Sequence, residues 1–396
     1  MQHRIIILGA GYAGAFAAGI LARRLHRADV EITVVNAEPD FVERMRLHQL
    51  AAGRELRRHD LGKIFAGTGI RLRVARVTAL DATRRTVTVT DGSGTEHLEY
   101  DTLLYALGSA GDDHGVPGAA EHAFHVAERP SALRLRRCLD ELDGNGTVLV
   151  VGGNLTAIEA ATEIAESRPG LRVTLATSGE LGGWLGPQAR RHLARAFDRF
   201  GITVHEHATI ERVEATRAVT TDGIAFATDA TVWAAGFAVH PLAAAGGLAV
   251  TDSGRIRVDR MMRSVSHPGV YVAGDSVFVL GDNGRPLPMS CASAGFTGMQ
   301  AAATIIGDLT GRKIAKTSLA YVGNHISLGR KDAIFQLVDG DARSRRWALR
   351  GRPAAHIKSA ILAAGPWNIA HPTYGLPSRK YRVGSTSDDS AEAIAA

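Results

Sequence analysis

The stretch Arg4-Ile5-Ile6-Ile7-Leu8-Gly9-Ala10-Gly11-Tyr12-Ala13-Gly14 decides the fold. An apolar, β-branched run leads directly into G-x-G-x-x-G, and an alanine-rich segment follows, the pattern of a strand, a tight turn and a helix. Each glycine has its own task in a dinucleotide-binding turn. Gly9 makes the turn, Gly11 lets backbone approach a pyrophosphate, and Gly14 lets the helix pack closely on its strand. The helix opens at Tyr12 and Ala13, and its positive end faces the phosphates. A second strand, Val30-Glu31-Ile32-Thr33-Val34-Val35, ends at Asn36. About 20 residues beyond such glycines an acidic side chain ordinarily takes the ribose hydroxyls. The candidates here are Asn36 and, past Ala37, Glu38.

A second unit of the same kind begins at Thr147-Val148-Leu149-Val150-Val151-Gly152-Gly153-Asn154 and continues through a helical segment to the strand Arg172-Val173-Thr174-Leu175-Ala176. Between the two units, alternating stretches from Ile70 onward and the turn Asp91-Gly92-Ser93-Gly94 read as an antiparallel meander. Two βαβ units separated by a meander are an internal repeat. The fold class is therefore α/β, with two Rossmann-like dinucleotide-binding domains, the second inserted in the first, and a C-terminal region. The boundaries read as 1–113 with 238–311, 114–237, 312–384, and a disordered tail at 385–396.

The composition is compatible with this. A chain of 396 residues allows two or three domains with sizeable cores, and 45% hydrophobic with 22% charged residues is typical of globular proteins. No apolar run reaches the roughly 18–20 residues of a membrane helix. The net charge of +6 favours anionic partners, but aromatics interleaved along a basic groove, as nucleic-acid binding needs, are absent. Cys138 and Cys291 form no C-x-x-C, so neither a disulfide framework nor a metal centre is expected, which suits a cytoplasmic location. The opening residues mimic a signal peptide, yet three motif glycines interrupt them and Arg23 and Arg24 follow.

With Ala106-Leu107-Gly108, Ala235-Gly236 and Ala273-Gly274-Asp275 also in order, the chain resembles the two-dinucleotide-binding-domain flavoproteins of the pyridine nucleotide–disulfide oxidoreductase superfamily. Within it the likeness is to type II NADH:quinone oxidoreductases, over about residues 3–365. The resemblance implies FAD on the first unit and NAD(P)H on the second. It implies that Asp275 bonds the flavin ribityl chain, with Ala106, Gly108 and Gly274 nearby. The helix beginning near Cys291-Ala292-Ser293-Ala294 would then direct its N-terminal N–H groups, Ser293 and Ala294 among them, at the flavin. Cys291 has no neighbouring cysteine, which removes dithiol chemistry and with it the disulfide-reductase branches.

The second glycine motif departs from the pattern: Gly152-Gly153-Asn154 has a side chain where the resemblance implies glycine. Asn154 either crowds the pyrophosphate or adopts a positive φ and donates a bond instead. No acidic residue follows Ala176 directly, so NADH and NADPH remain equal candidates. Glu159 matches a glutamate that lies near the nicotinamide in such proteins. In the loop after the second strand, His48 is a candidate proton carrier, with a structural histidine as the alternative reading, and Arg46 and Gln49 accompany it. These four residues are the catalytic candidates.

Arg343, Arg345, Arg346, Arg350, Arg352 and Lys358 surround Trp347, and a short helix follows with Ile357, Ile361 and Leu362 on one side. Basic residues, an apolar face and tryptophan are the ingredients of peripheral membrane contact; a cover over the flavin domain or a homodimer contact is the alternative. The expected function is transfer of hydride from NAD(P)H to FAD and of electrons onward to a quinone-like acceptor. The alternatives are an FAD-dependent oxidoreductase or oxidase acting on a specialised small molecule, with a degenerate NAD(P)H site, and a flavin-bound scaffold without turnover.

Overall fold

The opening strand, His3–Leu8, lies at the centre of a five-stranded parallel sheet in the order Val270–Val272, Thr102–Tyr105, His3–Leu8, Val30–Asn36, Ile70–Val74. Helices and loops cover it on both faces, which is why Ile5, Ile7 and Leu8 are fully buried and the strand reads as one apolar run. The computed structural model describes residues 2–142, 144–339, 343–375 and 380–384; the tail read as disordered lies outside the described residues.

The N-terminal helix, Tyr12–Arg24, packs against the late helix, Cys291–Thr310, through small residues. A Cβ on Gly298 would stand 2.9 Å from the Ala13 carbonyl oxygen, so the two backbones meet at a distance only glycine and alanine permit. That contact brings the start of the late helix to the glycine turn.

A second five-stranded parallel sheet has the order Ala123–Phe124, Ala230–Trp233, Thr147–Val151, Arg172–Ala176, Thr203–His205. The chain passes out to it along Ser109–Gly111 and returns along Phe237–Val239, and these two segments pair antiparallel. A three-stranded antiparallel sheet, Gly323–Ser327, Ala333–Val338 and Ser344–Arg350, then leads into the C-terminal helix Arg352–Ala370.

Three local expectations change. Ile70–Val74 joins the parallel sheet as its edge strand, where one exposed side produces the alternation, and the meander proper is Arg76–Asp81, Thr86–Asp91 and Gly94–Glu99. The loop around His48 is a 3-10 turn, Arg44–Arg46, followed by a short helix, Leu47–Ala51, whose five residues are all buried. The arginine-rich segment before the C-terminal helix is a strand in the last sheet.

Candidate active site

The first glycine turn has the shape its sequence requires. Gly9 has φ +94°, and a Cβ there would stand 2.4 Å from the Ala106 carbonyl oxygen. A Cβ on Gly14 would stand 1.9 Å from the Gly9 oxygen. Gly11 differs: nothing lies within 4 Å of its would-be Cβ, and no side chain caps the helix that begins at Tyr12 and Ala13. Open space beside uncapped helix N–H groups fits a pyrophosphate. The Asn36 Oδ1 accepts from the Ala10 N–H at 2.9 Å, while its Nδ2 donates to the Glu38 carbonyl at 2.8 Å. Asn36 thus braces the turn, and the exposed residues Ala37 and Glu38 stand at the strand end.

Across from this turn, Asp275 sits in the 3-10 turn Gly274–Ser276 that follows Val270–Val272. The Ser109 hydroxyl donates to its carboxylate at 2.6 Å, and Arg44 Nη1 stands 3.7 Å away. Arg44 also donates to the Ser109 carbonyl at 2.6 Å. Gly274, at φ +80°, donates to Thr297 of the late helix, and the Ser276 hydroxyl donates to the Gly108 carbonyl. A carboxylate fixed in this way can accept from a polyol chain. The late helix is capped by Ser290, whose hydroxyl oxygen accepts from the Ser293 N–H at 3.1 Å. Ser293 and Ala294 are buried, and the Ser293 N–H is directed at Ser290. Burial pushes the Cys291 thiol up to about 12, with Asp275 adding to the effect; it is a neutral packing group, not a nucleophile.

The catalytic candidates separate into two groups. Arg46 pairs with buried Glu43 at 2.9 Å and donates to Gln49 Oε1 at 3.1 Å, while His59 donates to the other Glu43 oxygen at 3.0 Å. Arg46 and Gln49 therefore bond each other. His48, one residue away, belongs elsewhere: it is 4% exposed, its Nε2 has no hydrogen-bond partner among the described residues, and it faces Glu159. Burial pushes its pKa below the ordinary value against the pull of Glu159 and Glu163, so it is neutral near pH 7.

Glu159 meets a partner that the sequence did not single out as such. Lys358, on the C-terminal helix, puts its Nζ 3.0 Å from Glu159 Oε1 and 2.9 Å from the His325 carbonyl oxygen. The Ser327 N–H donates to the same Glu159 oxygen at 2.8 Å. Burial alone would raise the Glu159 pKa, but Lys358, His48 and the Ser327 N–H together hold it below the usual value. Burial, with Lys358 adding, brings the His325 imidazole down to about 4. The first parallel sheet's loop, the second sheet's helix Leu155–Ser167 and the C-terminal region thus each contribute to one buried polar cluster.

Lys358 reads as part of a basic surface because its neighbours in sequence are arginines. The helix is inverted: Ile357 and Ile361 are 39% and 36% exposed, whereas Lys358 is 13% exposed at its side chain and Leu362 is buried. Leu362 therefore does not share the exposed apolar face expected for it. A signal was present, since Lys358 is one of only six lysines in an arginine-rich chain, but nothing in sequence shows which way it turns.

At the second turn, Gly152 has φ +135°, and a Cβ would stand 2.6 Å from the Ala234 carbonyl oxygen. A Cβ on Gly153 would meet the Thr177 hydroxyl. Asn154 has φ −87°, so the positive φ considered for it is not adopted. Its side chain is an N-cap: Oδ1 accepts from the Ala157 N–H at 3.1 Å, and Nδ2 donates to the Ala234 carbonyl at 2.8 Å. The reason is local. Extended backbone at this position suits any residue, and the amide then satisfies one helix donor and one strand-end acceptor. Unlike the first helix, this one has a first-turn N–H already engaged.

No group of three or more histidine, cysteine or carboxylate side chains able to hold a metal is found among the described residues, and no helix among them is long and apolar enough to cross a membrane. A family model described as "Pyridine nucleotide-disulphide oxidoreductase" matches residues 3–303. An NADH dehydrogenase-like protein of Mycobacterium tuberculosis is 28% identical over 383 residues, covering 90% of this chain and 92% of the relative. A type II NADH:quinone oxidoreductase of Staphylococcus haemolyticus is 25% identical, over 91% of this chain and 94% of its own. The sulfide:quinone oxidoreductase of Aquifex aeolicus shares the fold with a TM-score of 0.76 at 19% identity, covering 94% of this chain and 92% of that one. With two glycine turns on two parallel sheets, a fixed aspartate at the first, and a family match over most of its length, the chain belongs to the pyridine nucleotide–disulphide oxidoreductases and is an oxidoreductase using FAD and NAD(P)H.

Proposed function

We propose that this protein takes hydride from NAD(P)H and delivers electrons through FAD to a quinone-like acceptor. The observation that carries this reading is the buried cluster of Glu159, Lys358 and His48 where three regions of the chain meet. Reducing a quinone consumes protons as well as electrons, and this cluster holds proton-accepting groups away from bulk solvent. The names of relatives, which include a type II NADH:quinone oxidoreductase, support the same acceptor class.

FAD, when bound, supplies the hydride acceptor and the electron store. The chain's residues do the rest. Gly9, Gly11 and Gly14 admit the pyrophosphate, Glu38 reaches the adenosine ribose, and Asp275 accepts from the ribityl hydroxyls. Lys358 keeps Glu159 ionised, and His48 stays neutral with Nε2 free to hold or release a proton. Arg46 and Gln49 shape the wall on the acceptor side through their mutual bond. Gly152, Gly153 and Asn154 form the nicotinamide-nucleotide turn. In this reading residues 1–113 and 238–311 bind FAD, 114–237 bind NAD(P)H, and 312–384 form a C-terminal interface or membrane-associated region. The exposed Ile357, Ile361 and Trp367 contact the cytoplasmic membrane face, and a homodimer contact through the same region is the competing use of that surface.

The alternative, oxidation or reduction of a specialised small molecule with a degenerate NAD(P)H site, draws support from Asn154 occupying the Ala157 N–H. Anaerobic stopped-flow mixing separates the two. Rapid bleaching of the flavin by NADH or NADPH, followed by reoxidation with a soluble quinone, is the expected result. A flavin that stays oxidised in excess of both nucleotides overturns the dehydrogenase reading.

A further inference from the structure

The exposed side of the N-terminal helix and the middle of the late helix form the walls of a groove of about 420 Å3. Its floor is apolar, made by Phe16, Ile20, Met299, Ala303 and Ile306. Its rim is cationic, made by Arg23, Arg24, Arg312 and Lys313, and no carboxylate is found among the described lining residues. Arg24 and Arg312 both lie over the Tyr381 ring, 4.6 and 4.1 Å from its centroid. Arg23 donates through Nη1 to the Tyr374 carbonyl and Arg24 through Nη2 to the Tyr381 hydroxyl; burial and the neighbouring Arg24 still work against the charge of Arg23, whose Nε is buried without a partner among the described residues. With Arg23 and Arg24 engaged in this way, Arg312 and Lys313 bring exposed positive charge to the edge of an apolar floor, an arrangement complementary to an anion attached to an apolar body.

We propose that this groove binds one anionic phospholipid, its phosphate on the Arg23, Arg312 and Lys313 rim and an acyl chain along Ile20, Met299 and Ala303. The surroundings favour a bilayer as the source. Tyr374 is 70% exposed at the mouth and Trp367 47% exposed beside it. Their rings pack edge to face, with centroids 5.1 Å apart, and the Trp367 indole stacks on His371. Indole and phenol rings in such a place settle at headgroup depth. The exposed Ile357 and Ile361 continue the same helix surface.

The inference deepens the membrane part of the proposed function and rests on it, and two measurements keep their failures apart. Flotation on vesicles containing phosphatidylglycerol tests membrane contact; lipid retention by the detergent-solubilised holoenzyme, read by native mass spectrometry, tests the groove. The expected result is one phosphatidylglycerol retained and no phosphatidylcholine. Each of Arg312→Gln and Lys313→Gln should lower retention about fivefold. Ala303→Trp, which fills the groove and leaves the rim intact, should abolish retention while the flavin spectrum stays native; Met299→Trp serves the same purpose if Ala303→Trp does not fold. Flotation with undiminished retention in the groove-filled variant overturns the site while sparing membrane contact. Equal retention of both lipids, binding of inorganic phosphate as tight as that of the lipid, or a lipid-free dimer broken by Ala303→Trp each overturn the proposal as well.

Discussion

Lys358 and Glu159 hold opposite charges 3.0 Å apart where side-chain exposures are only 13% and 10%. Removing one partner of such a pair leaves the other charge uncompensated, and that loss typically costs about 3–5 kcal/mol. Lys358→Met is therefore expected to destabilise the protein by about that much in urea unfolding and to raise the Glu159 pKa; a change below about 1 kcal/mol would show the pair to be solvated. Asn154 carries a second prediction. Asn154→Gly removes the N-cap, at a helix cost of a few tenths of a kcal/mol, and returns the Ala157 N–H to the pyrophosphate. The dissociation constant of the nicotinamide nucleotide should fall severalfold by titration, and an unchanged constant rules out the cap as a weakener of binding. At this scale the sequence was informative where a residue acts through its backbone. Gly9, Gly14 and Gly152 were legible because steric limits are local. The turning of Lys358 toward Glu159 was not, because it depends on how a distant helix rolls against its neighbours.

The helices and strands were more legible than the side chains, and for a physical reason. Strands buried on both faces must be apolar throughout, so His3–Leu8, Val30–Asn36 and Thr147–Val151 stand out as uninterrupted runs. Edge elements are ambiguous: Ile70–Val74 alternates as a meander strand would, yet it extends the parallel sheet. The helix Leu47–Ala51 was missed because five residues give no periodicity to read. The seat of the N-terminal helix on its strand and glycine turn yields a test at this scale. A methyl group on Gly14 would meet the Gly9 carbonyl at 1.9 Å and the Ala106 side chain at 3.3 Å. Gly14→Ala should thus force the helix off its strand, costing about 3 kcal/mol, and the purified protein should lose flavin. Retention of full flavin and a native melting temperature would mean the turn relaxes at no cost.

For the molecule as a whole, pH sensitivity follows from histidines held neutral. Burial holds His325 down to about 4 in the folded chain, against an ordinary value of about 6.5 when unfolded, so between those values the unfolded chain binds more protons. Stability is then greatest above about pH 6.5 and falls as pH drops toward 4, by at most about 3 kcal/mol for this group. His3, His48 and His125 are lowered in the same direction, again mainly by burial, and add to the slope. Glu159 contributes at lower pH: its folded pKa is depressed, so its share is present above the carboxylate range and is lost as pH falls through the folded value. Denaturant midpoints measured from pH 7 to 4 should decline, and His325→Gln should flatten part of that decline. An unchanged slope in the variant would remove His325 from the account.

The two strands that link the sheets have a mechanical consequence. Ser109–Gly111 and Phe237–Val239 cross side by side, joined by backbone hydrogen bonds. A paired ribbon resists sliding and stretching because either would break its ladder, but it flexes about the axis across its width. The second parallel sheet is therefore expected to rock about this ribbon, toward and away from the first glycine turn. Arg44 grips both strands of this flexure, bonding the Ser109 carbonyl and lying over the Phe237 ring at 5.2 Å. The same guanidinium stands beside Asp275, so the ribbon and the carboxylate proposed to hold the flavin chain share a single fastening.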